Sequence, residues 1–182
     1  MPERHTRDLQ MDNTAALLDK EAIRELALLY CRGVDRKDPA LLRDLYAEGA
    51  TDTHGNDFDG TAEDFVAFLE QSFPIMPYSG HHVCNHLIAL NGNAAEGEVY
   101  ALAYHILQGE RPGEWVEHFL SVRYLDKYQR DADGKWRFSS RVVHYDLQRI
   151  SPCEPPLHQL EPDADPSFRI LQSKLFARGV RT

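Results

Sequence analysis

Nine histidines supply most of the acid/base potential of this 182-residue chain, and three of them fall in one stretch, HHVCNHLIAL, as His81, His82 and His86. Side chains alternate along a strand, which puts His81, Val83 and Asn85 on one face and His82, Cys84 and His86 on the other. An imidazole titrates near neutrality, so whichever face lines a pocket can move protons there. Asp35 is the carboxylate of interest, in YCRGVDRKDP. Its neighbours Arg36, Lys37 and Asp38 fit solvent or a helix cap, whereas Gly33-Val34 could instead turn the carboxylate inward. Tyr30, His118, Arg141 and His144 complete the set of polar side chains that would need partners if buried. A lone histidine is usually a surface or hydrogen-bonded core residue, so residue type alone leaves both faces open.

Other chemistries lack their motifs. The His81/His82/His86 spacing splits across two faces, unlike the i, i+4 pair of a zinc-binding helix, and no metal site is expected. There is no glycine-rich nucleotide loop and no Gly-x-Ser-x-Gly elbow. A net charge of −9 argues against nucleic acid, which selects basic faces. Cys31, Cys84 and Cys153 form no CxxC and are expected as reduced thiols of a cytoplasmic protein. The charged start is no signal peptide, and no run is long enough to span a membrane.

The elements that must position these groups follow from periodicity. Residues 1–13 are expected as a flexible polar leader. Asn13 or Thr14 then caps a helix with Leu17, Leu18, Ile23, Leu26, Ala27 and Tyr30 at helical spacing. Asp38-Pro39 opens a short helix, and Thr61 caps a third that stops at Pro74. TDTHGNDFDG between them reads as a short strand or loop. After Pro77 the period changes to two, giving four strands separated by NGN, ERPG and DADG turns. Helices followed by an antiparallel meander make an α+β fold rather than alternating βαβ. Residues 14–150 form this domain. Five prolines in 151–166 make a connector, and SFRILQSKLFARG is expected as a last helix within 151–182.

Three segments together carry a family likeness: DKEAIRELALLYCRGVDRKDPALLRDLYAEGA, HHVCNHLIALNGNAAEG and YQRDADGKWRFSSRVVHYD. In that order they resemble the SnoaL-like branch of the NTF2-like superfamily. The motifs are most similar to those of scytalone dehydratases, bile acid 7α-dehydratases and hexachlorocyclohexane dehydrochlorinases. The resemblance implies a cone-shaped α+β barrel, with helices packed in a curved, mostly antiparallel sheet, and a catalytic Asp–His dyad. The family aspartate falls on Asp35 and the helix tyrosine on Tyr30. The histidine, four residues before an Asn, falls on His81 with Asn85, or on His82 if the alignment slides by one. The arginine after W-x-F matches Arg141, and His118 lies near a second pocket histidine.

By the same resemblance, His81 is the base, Asp35 its orienting carboxylate, Tyr30 a hydrogen-bond donor and Arg141 an anion partner. His82, Asn85, Tyr104, His118, Phe119 and Tyr145 are expected around the substrate, with Phe65, Phe68 and Leu69 in the walls. The implied activity is a cofactor-free elimination on a small hydroxylated aromatic or polycyclic compound. A retro-aldol C–C cleavage that releases formaldehyde from a lignin-derived diarylpropane starts from the same dyad. A non-catalytic ligand-binding protein, or the small subunit of a ring-hydroxylating dioxygenase, is the rival, and it would have a filled cone. The expected partners are a small-molecule substrate and further copies of the chain, as a dimer or trimer, with no nucleic acid or membrane.

Overall fold

The computed structural model describes residues 2–157, 161–179 and 181, with side chains from residue 13 onward. Helix α1 (Pro2–Asp35) leads into α2 (Pro39–Leu45), strands β1 (Tyr46–His54) and β2 (Phe58–Thr61), and α3 (Ala62–Ser72). Four long strands follow: β3 (Tyr78–Asn91), β4 (Ala94–Gln108), β5 (Trp115–Arg130) and β6 (Trp136–Pro152). A four-residue helix, α4 (Ser167–Ile170), lies in the tail. The strand order is β2-β1-β6-β5-β4-β3, antiparallel except where β1 runs parallel to β6. This is the expected α+β layout, an open, curved six-stranded sheet with α1 against its concave face.

Helix α1 buries Ile23, Leu26, Ala27, Tyr30 and Val34 at the i, i+3/i+4 spacing that makes one helical stripe. That stripe packs chiefly against β3 and β6, while β4 buries the small residues Ala95, Ala101 and Ala103 on the inner face. Leu17 and Leu18, expected in the stripe, lie on exposed turns. Burial pairs each strand's inner set with an outer set that faces away from α1.

Two expectations about the ends are corrected. The backbone is helical from Pro2, through the segment expected as a loose leader and past Asn13 and Thr14. Proline is at home in a first helical turn, and no glycine or further proline interrupts residues 3–32. The segment expected as a last helix forms only α4 and a 3-10 turn at Lys174–Phe176. Its polar groups bond to α1 and α2 instead. Arg32 donates to Ser167 Oγ and to the Phe176 carbonyl, and its guanidinium lies 5.1 Å from the Phe168 ring centroid. Arg36 pairs with buried Asp165 at 2.8 Å, and Arg178 donates to the Lys37 carbonyl.

Strand β3 carries an irregularity in its pairing with β4 between Val83 and His86. It breaks the simple alternation: His86 turns inward beside Tyr128, and Asn85 turns out to solvent. Gly97 of β4 sits opposite. A Cβ there would come 2.8 Å from the Leu87 carbonyl oxygen and 3.2 Å from both His86 Nε2 and Tyr128. Backbone cannot yield as a flexible side chain does, so Gly97→Ala is expected to lower stability by about 1–3 kcal/mol. A lower urea midpoint with an unchanged m-value is the signature; a wild-type midpoint would show that the sheet has room there.

Candidate active site

Asp35 occupies the last residue of α1, where the helix dipole works against a carboxylate. It is retained because β3 supplies donors. Asp35 Oδ1 accepts from His81 Nδ1 at 2.6 Å and from Ser79 Oγ at 2.9 Å, and Oδ2 accepts from the His81 backbone N–H at 3.0 Å. Burial pushes the Asp35 carboxyl up, but these hydrogen bonds outweigh it and hold the group below the usual carboxylate range. Ser79 and His81 can both reach it because residues i and i+2 share a strand face. With Nδ1–H donated to Asp35, His81 Nε2 is left as a free acceptor. His82 points the other way, to solvent.

His81, with Asp35 behind it, borders a cavity of about 420 Å³ between α1, α3 and the concave sheet. Tyr30, His81, Val122 and Tyr124 line it together with Phe65, Phe68, Leu69, Met76 and Leu107. Tyr145 and His118, both expected at the substrate, also line it. His118 Nε2 lies 2.7 Å from Gln148 Nε2, and Tyr145 donates to Asp57 at 2.8 Å.

Four of the residues expected around the substrate lie elsewhere. Asn85 and His82 are exposed on β3. Tyr104 and Phe119 are cross-strand partners on the outer face, where Tyr104 donates to Glu117. Strand parity decides this, since their neighbours His105 and His118 take the inner positions. Arg141 lies behind the cavity lining rather than in it, with no solvent exposure. It makes two 2.8 Å bonds to Asp126 and stacks on Tyr30, Tyr124 and Phe138 with its guanidinium carbon 4.1–4.3 Å from their centroids. A guanidinium so enclosed is shielded from the cavity; it stacks on Tyr30 and Tyr124, which line it. His144 is exposed on β6.

The structure adds residues that were not anticipated. Strand β1 carries Asp52 and His54 inward, with His54 Nδ1 2.5 Å from Asp52 Oδ1. Tyr46 donates to Asp52 Oδ2 at 2.5 Å, and Tyr30's hydroxyl lies 3.1 Å from His54 Nε2. His54 stacks on Phe65, rings 4.3 Å apart, and lines the cavity. Asp-x-His on a strand places both side chains on one face, a signal present in TDTHG once that segment is read as a strand. His105 is the other, 5.2 Å from the His81 ring and aligned with His118 across the β4–β5 pair. Burial, then His81 and His118, lower His105 to about 3, so its ring is neutral near pH 7. Among the described residues, no group of three or more His, Cys, Asp or Glu side chains is placed to hold a metal ion.

Comparison with known proteins fits this arrangement. Residues 15–142 match the SnoaL-like domain. The chain belongs to the SnoaL-like family. None of the curated proteins compared with the sequence matches it. Among solved structures, a putative scytalone dehydratase from Novosphingobium aromaticivorans shares 22% identity over 80% of this chain and 98% of its own, with a TM-score of 0.67. A hexachlorocyclohexane dehydrochlorinase, LinA-type3, from Novosphingobium barchaimii shares 19% identity over 79% and 99% of the two chains, with a TM-score of 0.64. The Kfla4162 protein of Kribbella flavida reaches 24%, over 74% and 95%, with a TM-score of 0.65. At these identities the likeness is one of fold. Among the described residues, no helix is long and apolar enough to cross a membrane.

Two measurements probe the site's electrostatics. Arg141→Leu leaves Asp126 buried without its countercharge and is expected to cost about 3–5 kcal/mol, most of it recovered in the double variant Arg141→Leu/Asp126→Leu. Denaturant unfolding of the three proteins decides it; a double variant no more stable than Arg141→Leu would show that the pair is not coupled. The second is pH. His86, lowered to about 4 chiefly by burial, and His105, at about 3, bind protons in the unfolded chain before they do in the folded one. Stability therefore rises with pH from those values up to the unfolded histidine range near 6.5, by on the order of 1.4 kcal/mol per pH unit per group. His105→Gln should flatten the dependence of the thermal midpoint on pH between about 4 and 6. An unchanged slope would place His105 in solvent.

Proposed function

We propose that this chain is a cofactor-independent lyase that eliminates water, or a comparable leaving group, from a small hydroxylated aromatic or polycyclic compound. The observation that carries this reading is the Asp35–His81 hydrogen bond of 2.6 Å at the wall of the open cavity. A filled interior would have favoured a structural subunit; a cavity of about 420 Å³ lined by aromatic and aliphatic side chains is sized for a small ring system. Two of the structural neighbours are named for eliminations, a dehydratase and a dehydrochlorinase.

The chemistry follows from tautomer control. Asp35 accepts the Nδ1 proton of His81, which fixes Nε2 as the basic nitrogen and stabilises the imidazolium once it takes a proton. The proton removed is one acidified by an adjacent carbonyl, and the leaving group departs from the neighbouring carbon. Tyr30's hydroxyl faces the leaving oxygen. The same base can take a hydroxyl proton and start a retro-aldol cleavage, so the product distinguishes the two reactions.

Purified protein is to be screened against hydroxylated aromatic ketones and steroid-like alcohols, with products read by mass. Loss of water supports the dehydratase reading, and release of formaldehyde supports C–C cleavage. His81→Ala and Asp35→Asn should each lower turnover by about 10²–10⁴-fold while the far-UV circular dichroism is retained. Full activity in either variant removes the dyad from the mechanism.

A further inference from the structure

An elimination from an alcohol needs an acid as well as a base, because hydroxide leaves poorly without a proton. His81 cannot supply that proton in the step in which it takes one. The opposite side of the cavity offers a second set of groups. We propose that Asp52 and His54 form a second acid/base pair that acts through Tyr30 on the departing oxygen, so that the C–H proton and the leaving-group proton travel through different residues. This rests on the reading of His81 as the base.

Four observations carry it. Asp52 has no solvent exposure, and its hydrogen-bonded partners are the Tyr46 hydroxyl and His54. A buried carboxylate needs a countercharge, and His54 is the hydrogen-bonded partner able to carry one. The other nitrogen of His54, Nε2, lies 3.1 Å from the Tyr30 oxygen, giving an unbroken line Asp52–His54–Tyr30. Tyr30 in turn stands between the pairs: its ring meets the His81 ring edge-on at 6.4 Å, and all three side chains line the cavity. Tyr30's hydroxyl is also a poor anion. Burial, then the Asp52 charge, pushes its pKa well up, so a proton it gives must be replaced at once.

The step balances as follows. His81 Nε2 takes the C–H proton and that electron pair passes to the adjacent carbonyl as an enolate; it then returns as the new C=C bond while the C–O bond breaks. The departing oxygen takes the phenolic proton of Tyr30 and leaves as water. Tyr30's oxygen regains a proton from Nε2 of the His54 imidazolium, which keeps its Nδ1 proton on Asp52. The proton held by His81 returns to His54 through solvent, and the cycle closes. His54 is thus a positioning residue for the proton that Tyr30 delivers.

The test separates the two proton transfers on one probe, β-hydroxypropiophenone, in deuterium oxide, followed by proton NMR. Deuterium uptake next to the carbonyl reports the base alone; formation of phenyl vinyl ketone reports base and acid together. His54→Asn and Tyr30→Phe are expected to slow ketone formation by about 10²-fold or more and to keep deuterium uptake, whereas His81→Ala loses both. Wild-type ketone formation in His54→Asn overturns the relay, as does loss of both signals in that variant, which marks a structural role. Should His54→Asn fail to fold, Tyr30→Phe carries the test, since it leaves Asp52–His54 whole. Uptake that is absent in the wild type, or undiminished in His81→Ala, overturns the base reading instead.

Discussion

The carboxylate of Asp35 takes three hydrogen bonds from two residues of β3, and these fix where the end of α1 meets the first strand of the meander. A carboxylate in the last turn of a helix is disfavoured by the dipole, and burying it adds a desolvation cost. Both are offset only if donors converge on it from outside the helix. That requirement fixes the register of β3 against α1, because a shift of one residue would carry Ser79 and His81 to the outer face. The same contact fixes the tautomer of His81 and the depth of Tyr30, one helical turn and a residue earlier. Fold and candidate chemistry therefore share one geometric origin.

The floor beneath the cavity is built on a related constraint. Arg141 and Asp126 are both fully enclosed, and each would be costly alone. Paired, they give a planar cation on which Tyr30, Tyr124 and Phe138 can rest their ring faces. The rings lose mobility and the cavity gains a rigid base. The arginine that the family resemblance assigns to an anionic ligand is instead part of the foundation. Its parallel-strand neighbour Asp52 lies on the adjacent strand at the same level, which places the second Asp–His pair against that foundation.

Much of this was legible in residue order. The change from a helical period to a period of two marks the α+β class; Asp35 and His81 stand out only through the family resemblance of the GVDRKD and HHVCN segments, since residue type leaves both strand faces open. What was lost turned on single-residue parity. The irregularity in β3 reversed Asn85 and His86, because an extra residue in a strand flips every side chain after it. Tyr104 and Phe119 were read as pocket walls because they are aromatic, yet the adjacent His105 and His118 hold the inner positions. TDTHG, short and polar, reads equally as a strand or a loop, so the Asp-x-His alternation within it does not stand out. The tail is expected as a helix over 167–179, but Arg32 of α1, Arg36 just after it and Asp44 of α2 hold Ser167, Asp165 and Arg181, and only α4 and a 3-10 turn form. Tertiary partners of that kind lie more than a hundred residues away and leave no local trace.

The charges around the cavity close the physical account. Three aspartates stand behind its lining, each in an ion pair: Asp126, Asp52 and Asp35. Arg141 answers the first. The second and third are each answered by the Nδ1 of a histidine whose Nε2 looks toward the cavity or toward Tyr30. Had arginines filled those two places, the site would hold fixed charges and could move no proton. Imidazoles hold the carboxylates and can still gain and lose a proton, so the groups that settle the buried charge are also the groups that can do the chemistry. Two such units, on opposite walls and with one phenol between them, suit a reaction in which a proton is removed at one atom and delivered at another.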